Sequence, residues 1–197
     1  MPITEELDIT GEQEPADARK EGRAKPKAPA AAIVKAWLQA AAATAVVFFL
    51  TVTFVVQGFQ VYGNCMEPGL RTGERVLGNK LIYRFRSPAR GDVIVFRSPA
   101  DRDKVFIKRV IGLPGEVIEV RDGQVCINGS PLSEPYLVHR PHGSYGPEVI
   151  KPGHLFVMGD YRDQSNDSRS WGELPVENVQ AKAWVRYWPL TRLCLMR

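Results

Sequence analysis

The stretch Val117-Ile118-Glu119-Val120-Arg121-Asp122-Gly123-Gln124-Val125-Cys126-Ile127-Asn128-Gly129 holds two short runs of apolar and β-branched residues, each followed by a dipeptide suited to positive φ. Such dipeptides close two-residue hairpins, because their backbone twist matches that of the flanking strands. The stretch is therefore predicted to run strand Val117–Val120, turn Asp122-Gly123, strand Gln124–Ile127, turn Asn128-Gly129. Upstream, Asp92–Phe96 and Val105–Ile111 are further strand candidates. Prolines at 88, 99, 114, 131, 135, 141, 147 and 152 punctuate the rest, and Pro135–Gly153, with its Pro, His, Gly and Tyr content, reads as an excursion over the surface. No long amphipathic helical pattern and no internal repeat follows. The expected fold is mostly β, an all-β domain of folded sheets or a barrel-like body.

The N-terminal third differs. Ala36–Val56 carries no charged side chain; as a helix it would span about 31 Å, the thickness of a hydrocarbon core. A buried helix of a soluble domain would show a polar face. A cleavable signal peptide would have a shorter apolar core, roughly 7–15 residues, nearer the start of the chain. The run is read as one uncleaved transmembrane anchor, residues 31–57. Arg19, Lys20, Arg23, Lys25, Lys27 and Lys35 precede it and the next basic residue is Arg71, so the positive-inside rule places the N-terminus in the cytoplasm and residues 58–197 outside. Residues 1–30, rich in Glu, Ala, Lys and Pro, lack the apolar surface to offset ordering entropy and are expected to form a disordered cytoplasmic tail.

The net charge is +4, and residues 58–197 hold 20 Lys and Arg against 15 Asp and Glu, interspersed. A nucleic-acid footprint would be more concentrated; attraction to anionic headgroups is the more economical use of the charge. Of the three cysteines, Cys126 and Cys194 have two readings, a pair formed in an oxidising compartment or, for Cys126, a small buried hydrophobe on a strand. Cys65 is the odd thiol.

Three places could carry chemistry. Strand alternation puts Lys108 on the face of Phe106 and Val110, and Arg109 on that of Ile107 and Ile111, so one of the two cations must approach apolar neighbours. Burial disfavours the charged form of a lysine and makes it a general base; the alternative is a pair of charged gatekeepers on an edge strand. Cys65 is either an inert packing residue or a thiol on the bend made by Gly63, Asn64, Pro68 and Gly69, whose backbone N–H groups can receive an oxyanion. The loop Met158–Gly172 gathers three Asp, two Arg and three Ser, either as a solvated charged loop or as a framework of ion pairs and hydroxyl bonds. It lacks the spaced acidic ligands and closing Glu of a calcium loop. His139, His142 and His154 lack the i, i+4 spacing of a zinc protease, and no metal is assigned.

Taken together, and in this order, the apolar run, Gly63-Asn64-Cys65-Met66-Glu67-Pro68, Arg90-Gly91-Asp92-Val93-Ile94-Val95-Phe96, Lys108-Arg109-Val110-Ile111-Gly112-Leu113-Pro114-Gly115-Glu116 and Gly159–Arg169 resemble bacterial type I signal peptidase over about residues 32–190. The resemblance implies a single-pass enzyme of a bacterial-type cell membrane, a Ser–Lys endopeptidase that cleaves signal peptides of exported preproteins after small residues, with no metal or organic cofactor. By position, Lys108 matches the general base, Ser165 the serine that helps orient it, and Cys65 falls where the family has its nucleophilic serine. Asp160, Arg109, Asp167 and Arg169 match supporting ion-pair positions, and Met66 and Pro68 shape the nucleophile turn. Gly69 stands where threonine is common, and Tyr161 and Gln164 where asparagine is. Substrate is expected to lie extended beside Phe59–Gly63, meeting Val61, Tyr62 and Gly63; Gly63 has no side chain to add an oxyanion donor.

Cys65 has three readings: a natural thiol variant, an introduced substitution, or a degenerate enzyme. Two other function classes stand beside the peptidase. A soluble self-cleaving repressor-type protease also uses a Ser–Lys dyad, but the apolar run before Cys65 speaks against it. An anchored, catalytically impaired β module that binds exported peptides is the better rival.

Overall fold

The computed structural model describes residues 30–101, 103–138 and 142–196. The tail expected over 1–30, except Ala30, lies outside these residues, as do His139 and Pro141. Helix α1, Ala30–Phe54, is rich in alanine, the strongest helix former, starts six residues before the charge-free run and includes Lys35. Ala30–Thr51 is long and apolar enough to cross a membrane, with mean hydropathy 1.8 and no buried residue, so α1 is not the core helix of a soluble domain. The β-branched Val55-Val56 then favours extended backbone, and Val56, the last residue of the apolar run, already belongs to a strand. Two compact units divide inside α1, the first ending at Ala42 and the second running from Ala43 onward.

The second unit is mostly β. Its strands are β1 (Val56–Gln60), β2 (Arg75–Asn79), β3 (Val93–Arg97), β4 (Val105–Gly112), β5 (Val117–Arg121), β6 (Gln124–Ile127), β7 (Ser130–Pro131), β8 (Tyr145–Val149), β9 (His154–Met158), β10 (Leu174–Pro175), β11 (Val179–Trp188) and β12 (Cys194–Leu195). The larger sheet runs β1-β2-β11-β3-β4-β9-β10 with β12 beside β11, and the smaller β7-β6-β5-β8. All pairings are antiparallel. β1 and β4 stand first and fifth in the larger sheet, yet residues of both line one groove, so the sheet curls.

Both hairpin turns form where the sequence places them. Asp122 and Gly123 have φ of 47° and 78°, Asn128 and Gly129 51° and 79°, the paired positive φ of a type I′ turn. The excursion Pro135–Gly153 is not free of regular structure, because its segment Tyr145–Val149 pairs with β5 while staying mostly exposed. After α1 the described residues hold a single four-residue α-helix, α2 (Ser168–Trp171), and short 3-10 turns. All three cysteines are free; Cys126 is buried and Cys194 exposed, which leaves Cys126 as a packing residue.

Asp92 ties three elements together. Its carboxylate accepts from Lys182 Nζ on β11 at 2.6 Å, Tyr83 Oη at 3.1 Å and Ala89 N at 3.1 Å, and pairs with Arg86 at 2.9 Å. Burial alone would raise its pKa; the hydrogen bonds from Arg86 and Lys182 outweigh that and hold it below the ordinary carboxylate value. A depressed folded-state pKa gives stability that is present above the unfolded value, about 3.9, and is lost as pH falls through the folded value. Asp92→Asn is therefore expected to lower the urea midpoint by a constant amount above about pH 5, the difference shrinking below about pH 4 and closing only once pH has fallen through the depressed folded value. A pH-independent difference would show that the charge is not what stabilises.

Candidate active site

Cys65 sits on the bend Asn64–Leu70, which closes through Glu67 N to Asn64 O at 3.0 Å and Leu70 N to Met66 O at 2.8 Å. Met66 and Leu70 are its anchors, 1% and 0% exposed, in a cluster with Val61, Val76, Val93 and Ala183 against which Cys65 also packs. Gly63, at φ 81°, supplies the left-handed step into the bend. The Cys65 thiol points at Ile107 O, 3.8 Å away on β4.

The next residue of β4 is Lys108, 3% exposed, its Nζ 5.8 Å from the Phe106 ring centroid, which confirms the shared face of Lys108 and Phe106. The side-chain amine of Lys108 makes no hydrogen bond or ion pair with another described residue. Cys65 and Lys108 thus line one groove of about 760 Å³, together with Val61 and Tyr62; its apolar wall includes Phe59, Val76, Val95 and Ile107. Gly63 is not among the lining residues.

Arg109 is buried as well, so neither cation of β4 is a surface gatekeeper. Its guanidinium forms a fork with Asp160, Nε to Oδ1 at 2.8 Å and Nη2 to Oδ2 at 2.7 Å, donates to Gly91 O at 2.8 Å and lies 4.1 Å over the Tyr136 ring. Burial lowers its pKa, but the Asp160 bonds more than compensate and the net shift is upward. Burial also raises the Tyr136 phenol, as does the charge of Glu134.

Loop 159–169 carries a buried polar framework of Asp160, Arg162, Asp167 and Ser168, while Tyr161, Asp163, Gln164 and Asn166 face solvent. Asp167 caps α2, accepting Arg169 N at 3.3 Å, Arg169 Nε at 2.9 Å and Gly159 N at 3.1 Å. Gly159 N also donates to Ser165 Oγ at 3.1 Å, and Arg162 Nε donates to Gly159 O at 3.0 Å. Ser165 therefore bonds to Gly159, and no hydrogen bond links it to Lys108. Tyr161 N donates to Cys65 O at 3.0 Å, tying this framework to the thiol-bearing bend.

Sequence reasoning missed Arg162 and its ion-pair partner Glu134. Arg162 stood among the loop charges, but Glu134, 28 positions away, gave no local signal. Among the described residues no group of three or more His, Cys, Asp or Glu is placed to hold a metal.

A family model described as signal peptidase, peptidase S26, matches residues 34–188. A signal peptidase I of Leptolyngbya laminosa is 40% identical over 148 residues, 72% of this chain and 73% of that protein. A probable signal peptidase I-2 of Synechocystis is 39% identical over 160 residues, 78% and 73% of the two chains. Signal peptidase IB of Staphylococcus aureus is 30% identical over 173 residues, 79% and 90%.

Proposed function

The chain belongs to the signal peptidases of peptidase family S26 and is a peptidase; from that premise we propose that it removes signal peptides from exported preproteins, with Cys65 as nucleophile and Lys108 as base. The observation that carries this is the meeting of one thiol and one unpaired buried lysine in a single groove. The basic residues before the apolar run set the N-terminus in the cytoplasm, the helix anchors the chain in the membrane, and the β domain faces outward. Signal peptides and membrane lipid are its partners.

The groove lies between two strand edges. Just past β1, Val61 gives its N–H to Glu74 O at 2.8 Å and its C=O to Gly73 N at 2.9 Å, so its backbone is already bonded and it meets the groove as wall. Because antiparallel strands alternate inward and outward polar groups, the open edge belongs to Gly58, Gln60 and Tyr62. On β4, Val110 bonds to the residues just before β3, Asp92 O and Gly91 N, and the same alternation turns Val105 and Ile107 away from β3, toward the groove. An extended peptide can add a strand along such edges.

With the scissile carbonyl beside Cys65, Lys108 takes the thiol proton and sulfur attacks the carbonyl carbon. The backbone N–H of residue 65 donates to the oxyanion. The C–N bond breaks as Lys108 returns the proton to the leaving amine, leaving a thioester. Water, deprotonated by Lys108, attacks the thioester, and the acid and thiol are released. A thiol is in general more acidic and more nucleophilic than a hydroxyl, which favours this proton transfer and attack. The longer C–S bond displaces the reacting atom in a site built for oxygen. That mismatch favours one rival, an anchored peptide-binding module.

The test is cleavage of a preprotein with an Ala-X-Ala site, in detergent or liposomes, by the parent and by Cys65→Ser. Cys65→Ser is expected to preserve or raise cleavage. Cleavage by both forms marks a thiol-tolerant peptidase, cleavage by the serine form alone an inactivated one. Binding without turnover in both removes the enzymatic reading.

A further inference from the structure

We infer that Arg192, working with Arg186 on Glu74, is a positioning residue for residue 65, a role that rests on Cys65 being the nucleophile. The bend Asn64–Leu70 is held near residue 65 by Tyr161 N, but its far end is held by the C-terminal part of the chain. Arg192 Nη2 donates to Pro68 O at 3.0 Å while its Nη1 pairs with Glu74 Oε1. Arg186 Nη1 donates to Gly69 O and lies 3.4 Å from Glu74 Oε2. Arg186 Nε donates to Arg192 O at 2.6 Å, and Glu74, 4% exposed, also accepts Arg71 N at 3.0 Å.

Each guanidinium therefore spans one carboxylate oxygen and one carbonyl of the bend, a geometry that its planar fork allows and a lysine ammonium matches only in part. The two carbonyls belong to the third and fourth residues after Cys65. Arg192 lies past residue 188, where the family match ends; the 3-10 turn Leu190–Arg192 following β11 brings it back to the bend. Removing Arg192 leaves Arg186 to neutralise Glu74, so the fold keeps its buried ion pair while Pro68 O loses its donor. The consequence falls on where residue 65 sits.

The test uses the full chain in detergent, as the parent and on the Cys65→Ser background. Arg192→Ala is expected to lower kcat for preprotein cleavage about tenfold, since small misplacements of a reacting group are costly, with KM and the thermal midpoint near the parent's. Arg192→Lys should recover part of the loss, and Leu193→Ala, altering an exposed neighbour, none of the rate. In parallel, alkylation of Cys65 by iodoacetamide, mapped by mass spectrometry to separate it from Cys194, should speed up several-fold in Arg192→Ala. If neither background cleaves, the proposed function fails, and the alkylation rate alone decides the inference. Parental kcat and alkylation in a folded Arg192→Ala overturn it; should that variant not fold, Arg192→Lys is read in the same two assays, with parental values overturning it.

Discussion

Lys108→Met is expected to abolish preprotein cleavage, a loss of about 10²–10⁴-fold, the usual contribution of a positioned general base, while the domain stays folded. Methionine keeps the unbranched stem that runs past Phe106 and removes only the amine. Lys108 is 3% exposed and pairs with no described carboxylate, so its replacement leaves no orphaned counter-ion and removes a buried polar amine; the thermal midpoint should hold or rise. Arg109 beside it would give the opposite result, because its loss strands the buried Asp160 carboxylate. The measurement is kcat on the Cys65→Ser background, with thermal unfolding of the same samples. Cleavage within about threefold of the parent, set against that expected contribution, would remove lysine as the base.

The contrast between Lys108 and Arg109 also marks where sequence reading stops. Alternation correctly put the two cations on opposite faces of β4, and its inference that one must meet apolar neighbours was too weak, because the curled sheet covers both faces. Lys108 enters the groove, and Arg109 enters the framework of Asp160, Gly91 and Tyr136. The hairpins at Asp122-Gly123 and Asn128-Gly129 were legible because turn chemistry is local. β11 was not assigned: Ala181 and Ala183, its fully buried inward positions, carry little strand propensity, and its place between β2 and β3 depends on partners far away in sequence. Cys65 stood out because turn formers surround it. Glu134 did not, since its meaning comes from Arg162, met only through the fold.

Which backbone groups beside Val61 stay open was hidden for a related reason. Side-chain alternation is written in the sequence, but which strand edge is already bonded is not; Glu74 and Gly73 take both polar groups of Val61 and leave the open edge to its neighbours.

Gly159→Ala is expected to be as damaging as any change outside the dyad. The glycine does not have positive φ, so its reason is space. A Cβ there would stand 2.4 Å from Cys65 O, 2.3 Å from Ser165 Oγ and 2.7 Å from Ser165 Cβ. The carbonyl cannot rotate away freely, because it accepts Tyr161 N at 3.0 Å. Gly159 itself cannot retreat, because its N–H serves Ser165 and Asp167 and its C=O serves Arg162. The added methyl must therefore displace the Cys65 backbone, and with it the thiol and the N–H that would meet the oxyanion. A displacement approaching 1 Å costs about 10²-fold in rate, and overpacking a well-filled site costs about 1–3 kcal/mol. The two effects are read separately, as kcat at saturating preprotein and as the urea midpoint. Loss of rate with loss of stability supports a bend fixed by Gly159; parental values for both would show that the bend yields to the methyl and that its position does not depend on this contact.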